Sequence, residues 1–216
     1  MFGNSSFISY AVIYCSEVAT VYGGAYIYFK DDVIIATSIA QLCMHYLYLG
    51  ETLSKLDARQ EEESNKKLGK LIRFQYRLDS ICNDINEIYS YGNFFAFTCV
   101  RIYACLFLFA LINSNDLVKT PTFALQLFLL FLSVYFRCSL GMNLFEASSK
   151  LLFSIYDQNW YEGTPKYRKT ILIMMIKANR PMQLQASKLK TVSMEYFKEI
   201  IVSTYEIFMF LYNFTK

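Results

Sequence analysis

Polar residues in the final stretch of the chain recur at the spacing of one helical face. Glu199, Ser203, Glu206 and Asn213 are separated by four, three and seven residues, and Phe210 fills the gap between the last two. The surrounding residues are apolar, and a carboxylate inside a membrane costs about 2.5–3.5 kcal/mol on insertion scales. Such a face must turn toward protein or water, because hydrocarbon offers it no partner. From the residues alone, lining a pore and packing against a neighbouring helix are equally good interpretations.

The composition of the whole chain indicates a membrane protein. Hydrophobic residues make up 55% of the 216 residues and charged residues 18%, and the mean hydropathy is +0.26. Soluble domains usually contain about a quarter charged residues. The net charge of +3 is too small to indicate a nucleic-acid partner, so the lipid bilayer is the expected environment.

Apolar runs separated by charged stretches predict an all-α fold, a polytopic membrane bundle with about four spans and additional cytosolic amphipathic helices. The first run, 7–29, is followed by Lys30-Asp31-Asp32 and a second run, 33–49. Either one long helix continues through the charges or two spans meet there. Since no Gly or Pro marks a turn, one long helix is favoured.

The same pattern divides the chain into five regions. Residues 1–50 form a first span with its cytosolic extension, and residues 51–93 form a cytosolic amphipathic helix. Residues 94–141 form a two-span hairpin, and residues 142–192 form the cytosolic anchor helices. Residues 193–216 form a final, candidate pore-lining span with a short extracellular tail. Lys and Arg concentrate in the second and fourth regions, so the positive-inside rule places both in the cytosol. Four spans then leave the C-terminus outside the cell.

The residues that usually carry enzyme chemistry are sparse. His45 is the only histidine, and the six cysteines show neither close pairs nor metal-ligand spacing. There is no nucleotide-binding loop and no pair of carboxylates at catalytic spacing. The sequence therefore predicts no enzyme, no catalytic residues, no metal and no cofactor.

An ordered series of short motifs resembles the insect odorant receptor family over residues 134–214. The motifs run from Cys138-Ser-Leu-Gly141-Met-Asn143 through Ser154-Ile-Tyr156-Asp-Gln-Asn-Trp160-Tyr161 to Arg168-Lys-Thr-Ile-Leu-Ile-Met-Met175, Asn179-Arg-Pro181-Met182 and Ser193-Met-Glu-Tyr-Phe197. Members of that family have seven spans and a cytosolic N-terminus. The resemblance covers only their last four spans, so we expect an N-terminally incomplete chain.

The resemblance implies an odorant-gated, non-selective cation channel that acts in smell perception at the plasma membrane. In the family the last span lines the pore of a four-subunit channel, and an apolar residue forms the gate. That role falls by position on Phe210, with Glu206, Ser203, Asn213 and Phe214 as the other pore residues. In the odorant co-receptor the second intracellular segment is extended, whereas the corresponding segment here, 51–93, is compact. The chain therefore resembles a ligand-tuning subunit, which would form a hetero-tetramer with the co-receptor.

Two further sites follow from the resemblance. A small volatile, apolar ligand would bind in the outer half of the bundle, for which Tyr22, Tyr26 and Phe123 are the candidates. The cytosolic segments would pack against other subunits as an anchor, and the candidate anchor residues are Trp160, Tyr156 and Pro181. For each of the three ligand candidates taken singly, contact with lipid or packing in the core is favoured over ligand binding.

Other functions remain open at this stage. Gustatory receptors, the sister family, close with Thr-Tyr and a later Gln-Phe; here Thr204-Tyr205 is present but Leu211-Tyr212 replaces the second pair. This replacement favours the odorant receptors over the gustatory receptors. A gustatory-type channel and a non-functional receptor fragment are kept as the alternatives. A transporter would show broken helices or an internal repeat, and the sequence shows neither.

Overall fold

The computed structural model describes residues 3–56, 61–113, 119–187 and 190–214, and nearly all of them are helical. Within the helices, the side chains at 3–11, 17, 20, 21, 25, 27, 28 and 61–63 lie outside this description. The elements in chain order are α1 (Gly3–Ser54), α2 (Glu61–Asn113), α3 (Lys119–Tyr156), a 3₁₀ turn (Trp160–Glu162), α4 (Pro165–Ala178) and α5 (Met194–Phe214). Strand-like pairing in the described ranges is limited to one bridge between Gln185 and Thr191. The prediction of an all-α fold is confirmed.

The chain forms two compact units. The first is Met1–Ser38 and the second is Ile39–Lys216. In the first unit the described aromatic side chains Tyr14, Tyr22, Tyr26 and Phe29 are exposed. The second unit contains most of the buried apolar residues, among them Tyr46, Phe97 and Ile155.

Helices α1, α2 and α3 contain the stretches that are long and apolar enough to cross a membrane. These stretches are Tyr22–Ser54, Ser64–Asn113 and Lys119–Tyr156, which gives three candidate spans in the described part of the chain, where the sequence predicted four. Helix α5 has 21 residues but carries charges at Glu195, Lys198, Glu199 and Glu206. Those charges lower its apolarity, so its role as the fourth span stays a prediction.

Several predicted region boundaries fall inside continuous helices. Helix α1 passes through Lys30–Asp32 without a break, in agreement with the long-helix interpretation. The boundary predicted at 93/94 lies inside α2, and the one at 141/142 lies inside α3, which continues to Tyr156. A change in hydropathy indicates where a helix passes from lipid to water. The helix itself can continue through that point, because its backbone hydrogen bonds are made within the helix in either environment.

Helix α5 packs against α2 and α3. The ring of Tyr196 meets Phe97 of α2 edge-on at 5.5 Å, and Phe197 meets Tyr135 of α3 at 5.7 Å between ring centres. Edge-to-face pairs at these distances add to the stabilisation from buried area. The start of α5 is therefore fixed against both neighbours.

The approach to α5 depends on a glycine in α3. A Cβ atom built at Gly141 would lie 2.3 Å from the backbone oxygen of Val192. No side chain fits at that distance, so the segment before α5 crosses α3 at a point where only glycine is accommodated.

Candidate functional site

The first turn of α5 is capped by its own sequence. The Ser193 hydroxyl accepts a hydrogen bond from the Tyr196 backbone N–H at 3.2 Å. Glu195 lies in the same turn, where a negative charge interacts favourably with the helix dipole. The helix therefore begins at a defined residue, which sets the direction of every later side chain.

One face of α5 is buried in the protein. Its members, Tyr196, Ile200, Thr204 and Phe208, follow one another at intervals of four. Arg101, which lies in the apolar half of α2, stands over the Tyr196 ring at 5.5 Å and donates to its hydroxyl at 3.4 Å. Much of the cost of the Arg101 charge inside an apolar stretch is thereby offset by α5.

The face predicted to be functional lies about a third of a turn of the helix away and is left open. Glu206 and Asn213 are exposed, Ser203 is half-buried, and Phe210 and Phe214 are 65% and 82% exposed. The rings of Phe210 and Phe214 lie 5.7 Å apart. Four of the five predicted pore residues thus lie on a surface that the described residues do not cover, and Ser203 lies half-buried at its edge.

The two carboxylates of this face differ in their surroundings. Glu199 pairs with Lys190, whose Nζ lies 2.7 Å from its Oε2, and both side chains are about half exposed. Glu206 has no ion-pair or hydrogen-bond partner among the described residues. Ser203 and Glu206 line the same open concavity, so Glu206 faces whatever medium or protein covers α5.

Hydroxyl groups converge on one carbonyl in the middle of α5. Ser203 Oγ donates to the backbone oxygen of Ile200 at 3.1 Å, and Thr204 Oγ1 donates to the same oxygen at 2.7 Å. The Cys105 thiol of α2 donates in turn to the Thr204 carbonyl at 3.3 Å. Sequence reasoning missed this group, because Ser and Thr within a helix give no signal of which carbonyl they choose.

A buried polar cluster on the basic side of the bundle was also missed. Asp79 of α2 accepts a hydrogen bond from the Tyr46 hydroxyl at 2.6 Å and pairs with Lys177 of α4 at 2.9 Å. The Lys177 ammonium also lies 3.2 Å from the centre of the Tyr76 ring. This Asp79 cluster joins α1, α2 and α4 through side chains that are mostly shielded from solvent.

An extended segment between α4 and α5 is held by two side-chain amides of α2, those of Asn86 and Asn93, the second of which donates to the Gln185 carbonyl at 3.4 Å. Asn86 Nδ2 donates to the Gln183 carbonyl at 2.8 Å, and its Oδ1 accepts from the Gln185 backbone N–H at 2.9 Å. Nearby, the Ser148 hydroxyl accepts from the Met182 N–H at 3.0 Å. These contacts attach the segment to α2 and α3 just before the chain enters α5.

The predicted anchor residues lie near one another in the chain but have different surroundings. Tyr156, at the end of α3, is 68% exposed, and Pro181 is half-buried. Trp160 is half-buried with its ring edge-on to Tyr161 at 6.5 Å. Tyr167 of the same region is buried, and its hydroxyl donates to Gln158, which is also buried, at 2.9 Å.

The structure of this turn explains why Tyr167 is buried. Thr164 caps α4 by accepting from the Tyr167 N–H at 3.4 Å, and Pro165 occupies the first helical position. A Cβ atom at Gly163 would lie 2.6 Å from the Tyr167 ring. The Gly-Thr-Pro sequence therefore both starts α4 and leaves room for the ring.

The predicted ligand residues are distributed over both compact units. Tyr22 and Tyr26 belong to the first unit, where both side chains are largely exposed. Phe123 belongs to the second unit, where its half-buried ring lies 6.3 Å from Phe107. Their role in ligand binding stays a prediction.

These features define a class of protein: a helical protein with three helices long and apolar enough to cross a membrane, whose last helix leaves a polar face open. The model of the 7tm odorant receptor family matches residues 2–205. The chain belongs to the odorant receptor family. The family consists of receptors rather than enzymes, in agreement with the sequence prediction.

Relatives and solved structures are similar over nearly all of this chain. Odorant receptor 88a of Drosophila melanogaster is 27% identical over 206 residues, which cover 94% of this chain and 51% of that protein. Putative odorant receptor 92a of the same species is 23% identical, with 95% and 49% covered. The olfactory receptor OR5 from Machilis hrabei, solved in complex with eugenol, superimposes with a TM-score of 0.75 at 17% identity, over 92% of this chain and 53% of that one. The chain spans about half the length of the curated relatives it matches.

Proposed function

We propose that the chain contributes to an odorant-gated cation channel in which the open face of α5 lines the pore. The observation that carries this proposal is the separation of faces on α5. Tyr196, Ile200, Thr204 and Phe208 pack inside the chain, while the face that carries Glu206 and Phe210 is left uncovered. A ring of carboxylates favours cations, and a ring of apolar side chains closes a pore by excluding water.

Glu206 and Phe210 would divide these two tasks. Glu206 is exposed and unpaired among the described residues, so its charge is available to ions. Phe210 lies one turn further along with its ring exposed next to Phe214, which suits an apolar gate. Ser203 and Asn213 continue the polar lining on either side.

Current recordings from cells that express the complete gene product with the odorant co-receptor test this proposal. We expect Phe210→Ala to raise the current without odorant and Glu206→Gln to lower the permeability for divalent relative to monovalent cations. Ile201→Ala is the matched control for the first change, because Ile201 is exposed on a different face of α5. Unchanged resting current and unchanged reversal potential in both variants would reject a pore-lining role for α5.

The co-receptor is the proposed partner, in a hetero-tetramer assembled through the cytosolic helices. The support is an exposed apolar surface on α4, formed by Leu172, Ile173 and Ile176, close in sequence to Trp160 and Pro181. Such a surface marks an interaction site when it faces water. Ile176→Arg should reduce co-purification with the co-receptor, whereas Arg180→Gln, an exposed change beyond the end of α4, should not.

The proposed location is the plasma membrane. The basic N-terminal half of α2 and the whole of α4 would lie in the cytosol, and the C-terminus would lie outside the cell. The exposed side chains of Lys66, Lys67, Lys70 and Arg73 support this orientation. An epitope tag placed after Lys216 should bind antibody on intact cells. Staining only after the cells are permeabilised would show that the C-terminus is cytosolic and that the proposed topology is wrong.

The proposed ligand is a small, apolar, volatile molecule. Tyr22 and Tyr26 form one candidate contact, and Phe123 with Phe107 forms another. Alanine substitution at a true contact should shift the odorant concentration for half-maximal current while leaving the maximal current intact. A lipid-facing aromatic would change neither quantity.

A further inference from the structure

A polar notch lies where α2 passes the extended segment that precedes α5. Its volume is about 420 Å³, and its walls are polar side chains of α2 and one residue of the segment: Asn83, Asn86, Glu87, Ser90, Tyr91 and Gln185. Ligand sites begin at about 300 Å³, so the notch is large enough for a small organic group. Asn86 is held by its two bonds to the segment, which makes one wall of the notch rigid.

Two groups in the notch lack partners in the described part of the chain. The Ser90 hydroxyl is buried, with the residue 5% exposed, and forms no hydrogen bond. The Glu87 carboxylate has no cation beside it and no hydrogen bond. An unpaired buried polar group costs about 1–3 kcal/mol, so a partner from outside the described residues is expected at Ser90.

The charge of the notch selects the kind of partner. Glu87 supplies a negative charge, and no Lys or Arg lines the walls. A hard metal cation would require more carboxylate ligands, and the described residues contain no cluster of His, Cys, Asp or Glu suited to a metal. A primary ammonium fits better, because its three N–H donors match the acceptors of Glu87, Asn83 and Ser90.

The position of the notch indicates what carries the ammonium. Helix α2 changes from a charged to an apolar sequence at Asn93–Phe94, one turn beyond Ser90. From the notch an apolar stripe runs along the same helix into the membrane half; its members are all more than half exposed: Ile88, Tyr91, Phe95, Ile102 and Leu106. Tyr91 belongs to both the notch and the stripe. A polar group at interface depth is thus continuous with a surface suited to an acyl chain.

We propose that the notch binds the headgroup of a phospholipid that carries a primary ammonium, such as phosphatidylethanolamine, in the leaflet next to the basic half of α2. Glu87, Asn83 and Ser90 accept from the ammonium, the Tyr91 hydroxyl donates to the phosphate, and an acyl chain lies along the stripe. Neither the pore role of α5 nor the identity of the odorant enters this inference.

Native mass spectrometry of the purified full chain in detergent micelles tests the proposal. Equal concentrations of dioleoyl phosphatidylethanolamine and dioleoyl phosphatidylcholine are added as probes, and the bound fraction of each is measured. Because a hydrogen bond to a charged group contributes about 1.5–3 kcal/mol, we expect at least about tenfold preference for the ethanolamine lipid. Glu87→Gln should reduce that preference to near unity, and Ser90→Ala should weaken binding of the ethanolamine lipid.

Asp84→Asn provides the matched control, because Asp84 is an exposed carboxylate of the same helix that does not line the notch. It should retain the full preference. A series of lipids with one, two and three N-methyl groups tests the unmodified chain, so the result does not depend on a variant that folds. Binding should fall with each methyl group as a donor is lost.

Three results would overturn the proposal. Equal binding of the two dioleoyl lipids would show that the headgroup is not recognised. Full preference in Glu87→Gln would place the recognition elsewhere. Displacement of the lipid by free ethanolamine at equal concentration would show that the notch takes a soluble amine and that the apolar stripe contributes nothing.

Discussion

The open face of α5 and the Asp79 cluster contrast in how the chain treats charge. At the cluster, Asp79 is buried and receives both a hydroxyl donor and an ammonium from other helices. On α5, Glu206 is exposed and unpaired among the described residues. Charges with internal partners act on the fold, whereas charges without them act on what lies outside the chain. The following substitutions test that contrast through the free energy of unfolding, measured by SDS titration in mixed micelles with far-UV circular dichroism.

Asp79→Ala should be the most damaging of these changes. It leaves Lys177 and the Tyr46 hydroxyl without their acceptor, and breaking a buried ion pair by removing one partner costs about 3–5 kcal/mol. Asp84→Ala on the same helix should stay within about 0.5 kcal/mol of the unmodified chain, because Asp84 is exposed. Equal effects of the two changes would show that the cluster does not stabilise the fold.

Asn86→Ala should come next, with a loss of about 1–3 kcal/mol, because two backbone groups of the extended segment lose their partner. Asn83→Ala is the control, since Asn83 is exposed and makes no bond to that segment. Protease cleavage within 181–192 should also become faster in Asn86→Ala alone. A segment that stays protected would show that it is held by contacts other than the amide.

Gly141→Ala should cost about 1–3 kcal/mol, because the new methyl group would meet the Val192 carbonyl and force the backbone to move. Gly69→Ala makes the same chemical change in α2 where nothing lies within 4 Å, and it should stabilise the helix by about 0.5–1 kcal/mol. Opposite signs for the two glycines are the expected result. A loss at both would point to a general effect of alanine rather than to the crossing at Val192.

The α5 carboxylates should have the smallest effects on stability. Glu199→Gln removes an ion pair that is about half exposed, so the loss should not exceed about 1 kcal/mol and should shrink in high salt. Glu206→Gln should change stability by less than about 0.5 kcal/mol. A loss at Glu206 as large as that at Asp79 would mean that its charge is satisfied within the fold, and the contrast would fail.

The sequence predicts the open face of α5 because its residues lie close together at helical spacing. Glu206 and Phe210 are four residues apart, and a period of 3.6 is enough to place them. The Asp79 cluster could not be predicted in this way, since Tyr46 lies 33 residues before Asp79 and Lys177 belongs to another helix. Only the packing of α1, α2 and α4 brings these groups together.

Helix ends show a second limit of the sequence. Hydropathy separates charged from apolar residues at Phe94 and near Gly141, yet α2 and α3 continue through both points. The polarity of a stretch of sequence indicates whether lipid or water surrounds it. The ends of a helix depend instead on capping residues and on residues that break the helix, such as Pro and Gly. Thr164 and Pro165 mark the true start of a helix, because Thr164 caps α4 and Pro165 occupies its first position.

The two hydroxyls that converge on the Ile200 carbonyl have a mechanical consequence. Ser and Thr that bond back to a carbonyl of the preceding turn compete with the helical N–H and tend to bend the helix there. Phe210 lies ten residues further along α5, so a change of about 10° at this flexure would carry its ring sideways by about 2.6 Å over a lever arm of about 15 Å. Tyr196, below the flexure, stays braced by Phe97 and Arg101. The base of the last helix is thus fixed by contacts with α2, and the two hydroxyls mark the point above it where bending of the helix is favoured.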